Sequence, residues 1–323
     1  MRQARKRVLV TGAGGFVGAA LTRRLLAEGH EVHAVQRLGG NPWRLGGVLD
    51  QVRLHAADLS DPAAAVRVVG KARPEWVFHL AAFGNSSWET DPLAIMRTNL
   101  LGTAGMLQAC LRKGFEAFIH AGSSAEYGFK DHPPAEGEAL EPNSHYAVSK
   151  AAATLHCRQV AGATGARVVT LRLYSVYGPW EEPRRLVPML VVRGLRKRLP
   201  PLVEPDVARD FVFVDDVCDA FLAAAVRGGS GEVYNVGTGR QTTVRRAVEV
   251  ARSVLGIDQE PRWGSMPNRS WDTRSWNSDP RKMRRELRLR TFHGFEEGFR
   301  KTVAWLKSDR KVWAFYSRRC AGR

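Results

Sequence analysis

The sequence predicts an α/β fold: a doubly wound parallel sheet followed by a smaller C-terminal lobe. Three observations carry this. Short apolar runs alternate with segments of helical spacing through the first half of the chain. The runs are mostly continuous rather than alternating, as strands covered on both faces require. The 323 residues exceed one small core and suit a large α/β domain with a second lobe.

The elements follow in order. Residues 7–10 read as a short apolar strand and 18–28 as a helix. Residues 31–36 and 52–57 are the second and third strands, with a helix over 62–72. A fourth strand at 76–80 leads to a long helix at 92–112. A fifth at 115–121 precedes a helix at 144–161, and 168–173 is the sixth. Beyond residue 178, Pro179, Pro183, Pro188, Pro200, Pro201 and Pro205 punctuate loops around one helix. Residues 211–214 and 232–236 read as short strands, 243–255 as a helix, and the polar, Trp-rich 261–280 as loop. The expected division is a dinucleotide-binding unit at 1–172 and a smaller substrate-binding lobe at 173–323, with 209–237 returning to the first.

Composition narrows the classes. No run approaches the ~18 apolar residues of a membrane span. The basic start, Met1 to Lys6, is followed by no signal-like apolar region, so a cytoplasmic chain without a transmembrane segment is expected. Cys110, Cys157, Cys218 and Cys320 are widely spaced, which predicts neither disulfides nor a metal site. The net charge of +17, from 49 basic and 32 acidic residues, admits a nucleic-acid binder. The arginine excess is scattered and no nucleic-acid module is legible, so no nucleic-acid partner is expected. Part of the excess suits a polyanionic substrate.

Gly12, Gly15 and Gly18 lie in a strand–turn–helix context, with Phe16 and Val17 at the helix start. Such glycines let the backbone turn tightly, approach a pyrophosphate and pack helix against strand, and the helix N-terminus offers its amides. This predicts a Rossmann-type dinucleotide site; the alternative is a purely structural turn. At the tip of the second strand, Gln36 stands where an acid would bind the ribose 2′-hydroxyl, and Arg37 beside it suits a 2′-phosphate. NADP(H) is therefore favoured over NAD(H), unless Arg37 is an ordinary surface residue. Asp58, followed by Leu59, is placed either to meet the adenine or to form its own turn.

Tyr146 and Lys150 sit at i and i+4 on one helix face. A cation beside a phenol favours the phenolate, so Tyr146 is a candidate acid/base and Lys150 a candidate ribose ligand. Ser123 precedes them as a hydrogen-bonding partner for a reacting oxygen.

The ordered combination resembles the extended short-chain dehydrogenase/reductase family of sugar-nucleotide epimerases, dehydratases and reductases. It comprises Gly12-x-x-Gly15-x-x-Gly18, His79-Leu80-Ala81-Ala82, Asn99, Ser123-Ser124-x-x-Tyr127-Gly128, Tyr146-x-x-x-Lys150, Arg172 to Gly178-Pro179, Arg209-Asp210-Phe211-Val212 and Tyr234-Asn235-Val236-Gly237, spanning residues 7 to about 305. The resemblance implies catalytic Ser123, Tyr146 and Lys150, and a nucleoside-diphosphate sugar as substrate. It implies a cofactor lined by Leu80, Ala81 and Ala82, with Asn99 close by. Ser123 and Ser124 would face the sugar, and Arg209 and Arg269 would grip the diphosphate. Ser175 stands where many relatives carry a diphosphate-binding Asn. Homodimers are common in the family.

The resemblance also sorts reactions. Its 4,6-dehydratases carry an Asp-Glu pair directly after the Ser/Thr, where this chain has Ser124 and Ala125. Its C3/C5 epimerase-reductases use a Cys at the position of Ala125. Hydride chemistry at the sugar C4 remains. Arg37, and the likeness of Glu126-Tyr127-Gly128 to GDP-6-deoxy-4-keto-mannose reductases, lean towards 4-keto-sugar reduction. A 4-epimerase retaining NAD is the alternative, and a redox-inactive NADP-binding sensor or scaffold is the alternative from another class. The intact Ser123, Tyr146 and Lys150 argue against the last.

The basic aromatic tail, 311–319, either touches a membrane surface or partner, or packs its aromatics on the small lobe with its arginines in water. The second reading is favoured.

Overall fold

The structure, a computed structural model, describes residues 4–85, 88–268, 273–289 and 292–321. The chain opens with β1 (Arg7–Thr11), α1 (Phe16–Ala27), β2 (Glu31–Gln36), β3 (Arg53–Ala56), α2 (Pro62–Ala72) and β4 (Trp76–His79). It continues with α3 (Pro92–Met96), α4 (Gly102–Lys113), β5 (Ala117–Ser123), α5 (His145–Thr164), β6 (Val168–Leu173) and β7 (Ser175–Tyr177). Then come α6 (Leu186–Gly194), β8 (Ala208–Phe213), α7 (Val214–Arg227), β9 (Val233–Val236), β10 (Gln241–Thr243) and α8 (Val244–Leu255). It ends with α9 (Arg281–Glu286), α10 (Phe295–Ser308) and α11 (Arg310–Ala321).

Seven parallel strands form the main sheet in the order β3-β2-β1-β4-β5-β6-β9. Successive residues face opposite sides of a strand. Val8, Val10, Phe78 and Ile119 accordingly pack with Leu21 and Leu25 of α1 and Phe221 of α7. Leu9, Val77 and Phe118 pack with Val68 of α2 and Leu107 of α4 on the other face. Covering both faces is why these strands are continuously apolar. The chain winds outward from β1 to β3, then restarts at β4 and winds the other way. A crevice therefore opens at the C-terminal ends of β1 and β4, where doubly wound sheets bind ligands.

Local chemistry sets the helix ends. Pro62 and Pro92 occupy first turns, where no amide partner is lost. Asp61 caps α2 through the Ala63 amide, and Asp91 caps α3 through Leu93 and Ala94. Ser144 caps α5 through the Ala147 amide, and that helix stops at Gly165, which takes a left-handed conformation (φ 69°).

The second, smaller sheet has the order β10-β8-β7, with β8 antiparallel to β10 and parallel to β7. Of the segment 209–237, β9 joins the main sheet and β8 does not. Helix 92–112 is interrupted by a π turn at Arg97–Leu101. The tail folds as α11. Val312, Tyr316 and Cys320 are buried on one of its faces, and Phe315 packs on Trp43 with ring centroids 4.2 Å apart. Its aromatics are thus turned inward on the protein, and Phe315 meets Trp43 of the first unit rather than the small lobe that the favoured reading of the tail names. Among the described residues, no helix is long and apolar enough to cross a membrane, and no cluster of His, Cys, Asp and Glu could hold a metal ion. The four cysteines are buried and unpaired.

Candidate active site

The glycine turn builds one wall. Gly12 has φ 68°, and a side chain there would bring its first carbon within 2.8 Å of the Leu80 carbonyl group and the Ala81 amide. Gly18 abuts the Gly12 carbonyl oxygen, where an added carbon would lie at 2.2 Å. The β1 turn and the Leu80–Ala82 segment after β4 therefore meet backbone to backbone. Gly15 precedes α1 with no side-chain cap over its first amides, at Phe16, Val17 and Gly18. At the tip of β2, Gln36 Oε1 is buried with no hydrogen-bond partner among the described residues, and a carbon on Gly14 would lie 3.5 Å from it. A cradle that side chains would fill, beside an orphaned acceptor, fits the phosphates and ribose of a dinucleotide. Arg37 is exposed next to Gln36. Asp58 accepts from both the amide and the hydroxyl of Ser60 at 2.9 and 2.8 Å, which holds it below the ordinary carboxylate range; Arg37 adds a smaller pull. Leu59 behind it is buried.

The wall across the crevice comes from β5 and α5. β5 runs to Ser123 at its tip, two residues past the expected end. Ser123 then caps a 3-10 turn, Ser124–Tyr127, in a reciprocal capping box. Its Oγ accepts from the Ala125 amide at 3.2 Å, and its own amide donates to Glu126 Oε1 at 2.8 Å. Ser123 also hydrogen-bonds the phenol of Tyr146. Burial pushes that phenol up to about 12, while the Ser123 bond works to lower it.

One turn along α5, Lys150 is buried and reaches Nε2 of His120 on β5 at 3.3 Å. Burial lowers the ammonium to about 8, with Glu126 pulling back. Burial and Lys150 hold His120 neutral, and they lower His79 to about 3. His79 hydrogen-bonds Thr11 and Thr103 at 2.9 and 3.0 Å, bracing β4 against β1 and α4. Asn99, turned by the π segment, is fully buried. Its amide both accepts from and donates to the Phe83 backbone and donates to Ser149, which in turn donates to the Tyr146 carbonyl. Asn99 thus ties the loop after β4 to the tyrosine helix.

Glu126 deserves comparison with the carboxylates of a dehydratase. It lies one residue past the Asp-Glu positions and faces the core. It is fully buried, with Arg172 Nε donating at 2.8 Å. Arg172 also donates to Tyr127 Oη, which donates to Asn235.

The small lobe closes the site from a distance in sequence. Arg209 lies within β8, the middle strand of its sheet, and its guanidinium stands 5.6 Å from the Trp276 ring. The Trp276 indole donates to Ser124 Oγ at 3.2 Å. One aromatic residue therefore links the arginine to the Ser123–Tyr127 turn. Asp210 faces the interior and accepts from Thr238, Gly239 and Ser278. Ser175 lies on β7 beside β8, in register with Phe211. Arg269 lies outside the described residues. Sequence reasoning missed Trp276, His120 and the Glu126–Arg172 pair. Trp276 and Ser124 are 152 residues apart, and no local pattern announces such a contact.

Comparison with known proteins agrees with this geometry. Residues 8–237 match the model of the NAD dependent epimerase/dehydratase family. A dTDP-glucose 4,6-dehydratase of Streptomyces griseus is 31% identical, over 95% of this chain and 95% of that one. Among solved structures, the UDP-glucose 4-epimerase of Thermotoga maritima with UDP-glucose is 29% identical, with a TM-score of 0.84 over 93% of this chain and 98% of that one. The Thermus thermophilus UDP-glucose 4-epimerase complex with NAD is 30% identical, with a TM-score of 0.83 over 93% and 99%. The sheet order, the glycine cradle and these matches lead to one conclusion: the chain belongs to the NAD dependent epimerase/dehydratase family, whose members are enzymes.

Proposed function

We propose that this enzyme transfers hydride at C4 of a nucleoside-diphosphate sugar, the net reaction being reduction of a 4-keto sugar with NADP(H). The observation that carries the reading is the meeting of Ser123 and Tyr146, with Lys150 one turn on, in a catalytic loop that lacks dehydration machinery. Positions 124 and 125 are Ser and Ala, and the loop's carboxylate, Glu126, is buried against Arg172.

The bound nicotinamide supplies the hydride. Tyr146 gives a proton to the sugar oxygen during reduction and takes it back in reverse. Ser123, with its oxygen already accepting from Ala125, keeps its hydroxyl proton for the same sugar oxygen. Lys150 favours the phenolate by its charge and reaches towards the nicotinamide ribose. Arg209, with Arg269, grips the diphosphate, and the lobe beyond residue 173 encloses the sugar nucleotide. Preference for NADP(H) rests on Arg37, free to meet a 2′-phosphate that no neighbouring carboxylate at position 36 repels. Exposed Val148 and Leu155, seven residues apart on α5, offer an apolar face for a homodimer. Four buried thiols without a disulfide suit the reducing cytoplasm.

A second reading, C4 epimerisation with retained NAD, is favoured by the likeness to UDP-glucose 4-epimerases. The test combines mass spectrometry of nucleotides released from the denatured protein with assays on a sugar-nucleotide panel. Reduction consumes NADPH with 4-keto sugars. Epimerisation inverts C4 with no net cofactor change. Binding without either reaction would overturn both readings and leave a sensor or scaffold.

A further inference from the structure

The loop between β2 and β3 leaves the sheet at Gln36 and enters a short 3-10 turn at Trp43–Leu45 whose Leu45 is fully buried. Arg44 in this turn reaches three acceptors in two parts of the molecule. It donates to the Trp180 carbonyl at 2.7 Å, to Glu182 at 3.1 Å and to the Gly14 carbonyl at 3.5 Å. Gly14 belongs to the phosphate turn, whereas Trp180 and Glu182 belong to the loop after β7. Arg23 of α1 adds bonds to the Arg44 and Gly46 carbonyls at 2.8 and 2.7 Å, and its guanidinium lies 4.4 Å from the Trp180 ring.

The other side of this assembly is α11. Trp43 packs on Phe315 at 4.2 Å. Tyr316 donates to the Glu181 carbonyl, and the Cys320 thiol to the Pro183 carbonyl. Arg44 and α11 therefore hold the same 180–183 loop from two directions, and Trp43 is pinned between them. A tail that merely filled the small lobe would not need to seat its aromatic face on the β2–β3 loop.

We infer that Trp43, Arg44 and α11 form a clasp that holds the β2–β3 loop against the phosphate turn and so slows release of the dinucleotide. The inference rests on reading the glycine turn as a dinucleotide site. The ribose of the adenosine half would meet Gln36 at the tip of β2, where this loop begins, so its exit is eased when the loop lifts from Gly14. That movement breaks the Arg44 bonds to Trp180 and Glu182 and unstacks Trp43 from Phe315 together. Opening is then governed by contacts that never touch the cofactor, as with other lids whose hinges and latches lie away from the chemistry.

The test uses the full chain loaded with NADPH or NADH, chased with excess oxidised cofactor, and follows the loss of nicotinamide fluorescence by stopped flow. Phe315→Ala and Arg44→Ala should each speed release by about tenfold or more. Arg44→Lys should fall between them and the wild type, because a point charge cannot serve three acceptors in a fixed fork. The double Arg44→Ala, Phe315→Ala variant should release no faster than the quicker single, since both act on one clasp. Circular dichroism and thermal unfolding establish that each variant is folded, and Arg44→Lys keeps the test open if an alanine variant is not. Release within about twofold of wild type in the folded variants overturns the clasp. Rate effects that multiply in the double variant overturn its acting as one unit. Failure of the wild type to bind either cofactor overturns the reading of the glycine turn itself, and the clasp with it.

Discussion

Lys150 and His120 share a buried hydrogen bond, Nζ to Nε2 at 3.3 Å, so the ammonium is held by an imidazole rather than by a carboxylate. Burial takes Lys150 from the ordinary 10.5 down to about 8. The folded chain then binds fewer protons than the unfolded one between these values. Stability from this group rises with pH through that window, and its cost is full below pH 8. Lys150→Met should therefore abolish turnover yet stabilise the fold at neutral pH by about 1–3 kcal/mol. The gain should shrink as pH rises from 8 towards 10.5. Denaturant unfolding of both proteins at neutral and alkaline pH measures it, and a gain independent of pH would remove burial as the cause.

Tyr146→Phe should cut turnover by about 10²–10⁴ with cofactor affinity nearly intact, since only the proton-transfer group is lost. Ser123→Ala removes the hydrogen bond that works against burial in setting the phenol. In the direction of alcohol oxidation, activity rises as Tyr146 ionises, so this variant should move the rising limb of the pH–rate profile to higher pH. An unmoved limb would detach Ser123 from the tyrosine.

Removing Glu126 tests the buried pair behind Ser123. Glu126→Ala leaves Arg172 buried without its carboxylate and should cost about 3–5 kcal/mol in unfolding experiments. Glu126→Gln keeps an acceptor for the Ser123 amide and should cost less. Equal losses in the two variants would assign the whole effect to the lost charge, with nothing left for packing or for the Ser123 acceptor.

Arg209 and Asp210 are neighbours with different tasks. Arg209→Ala should raise the substrate KM by roughly 10–100-fold, the equivalent of one charge-assisted bond to a diphosphate, with cofactor binding unchanged. Asp210→Ala strips the acceptor from Thr238, Gly239 and Ser278 and should instead lower the melting temperature. Steady-state kinetics and thermal unfolding on both variants separate the roles. An unchanged KM for Arg209→Ala would end its assignment to the diphosphate.

Equilibrium titration of the two cofactors tests the tip of β2. NADP(H) should bind more tightly than NAD(H), and Arg37→Ala should erase the difference by weakening NADP(H) alone. Equal or tighter NAD(H) binding in the wild type would dismiss Arg37, and would suit the neutral Gln36 acceptor meeting a plain ribose.

Much of this protein is legible in the order of its residues because the decisive signals are local. A parallel sheet needs continuous apolar runs, and a tight approach to phosphate needs Gly12, Gly15 and Gly18. A helix places Tyr146 and Lys150 on one face whatever surrounds it. These follow from backbone sterics and periodicity within a few residues. Tertiary structure decided what depends on distant segments meeting. Glu126 stands in the sequence only as part of Glu126-Tyr127-Gly128, but β6 brings Arg172 to it and burial turns it away from solvent. Ser124 reads as open, but Trp276 arrives from 152 residues away to hydrogen-bond it. The tail reads as packing on the small lobe, yet Trp43 and the 180–183 loop also give it a surface on which to fold as α11. A helix of that length is marginal in isolation, so its stability comes from packing against partners that its own sequence does not contain.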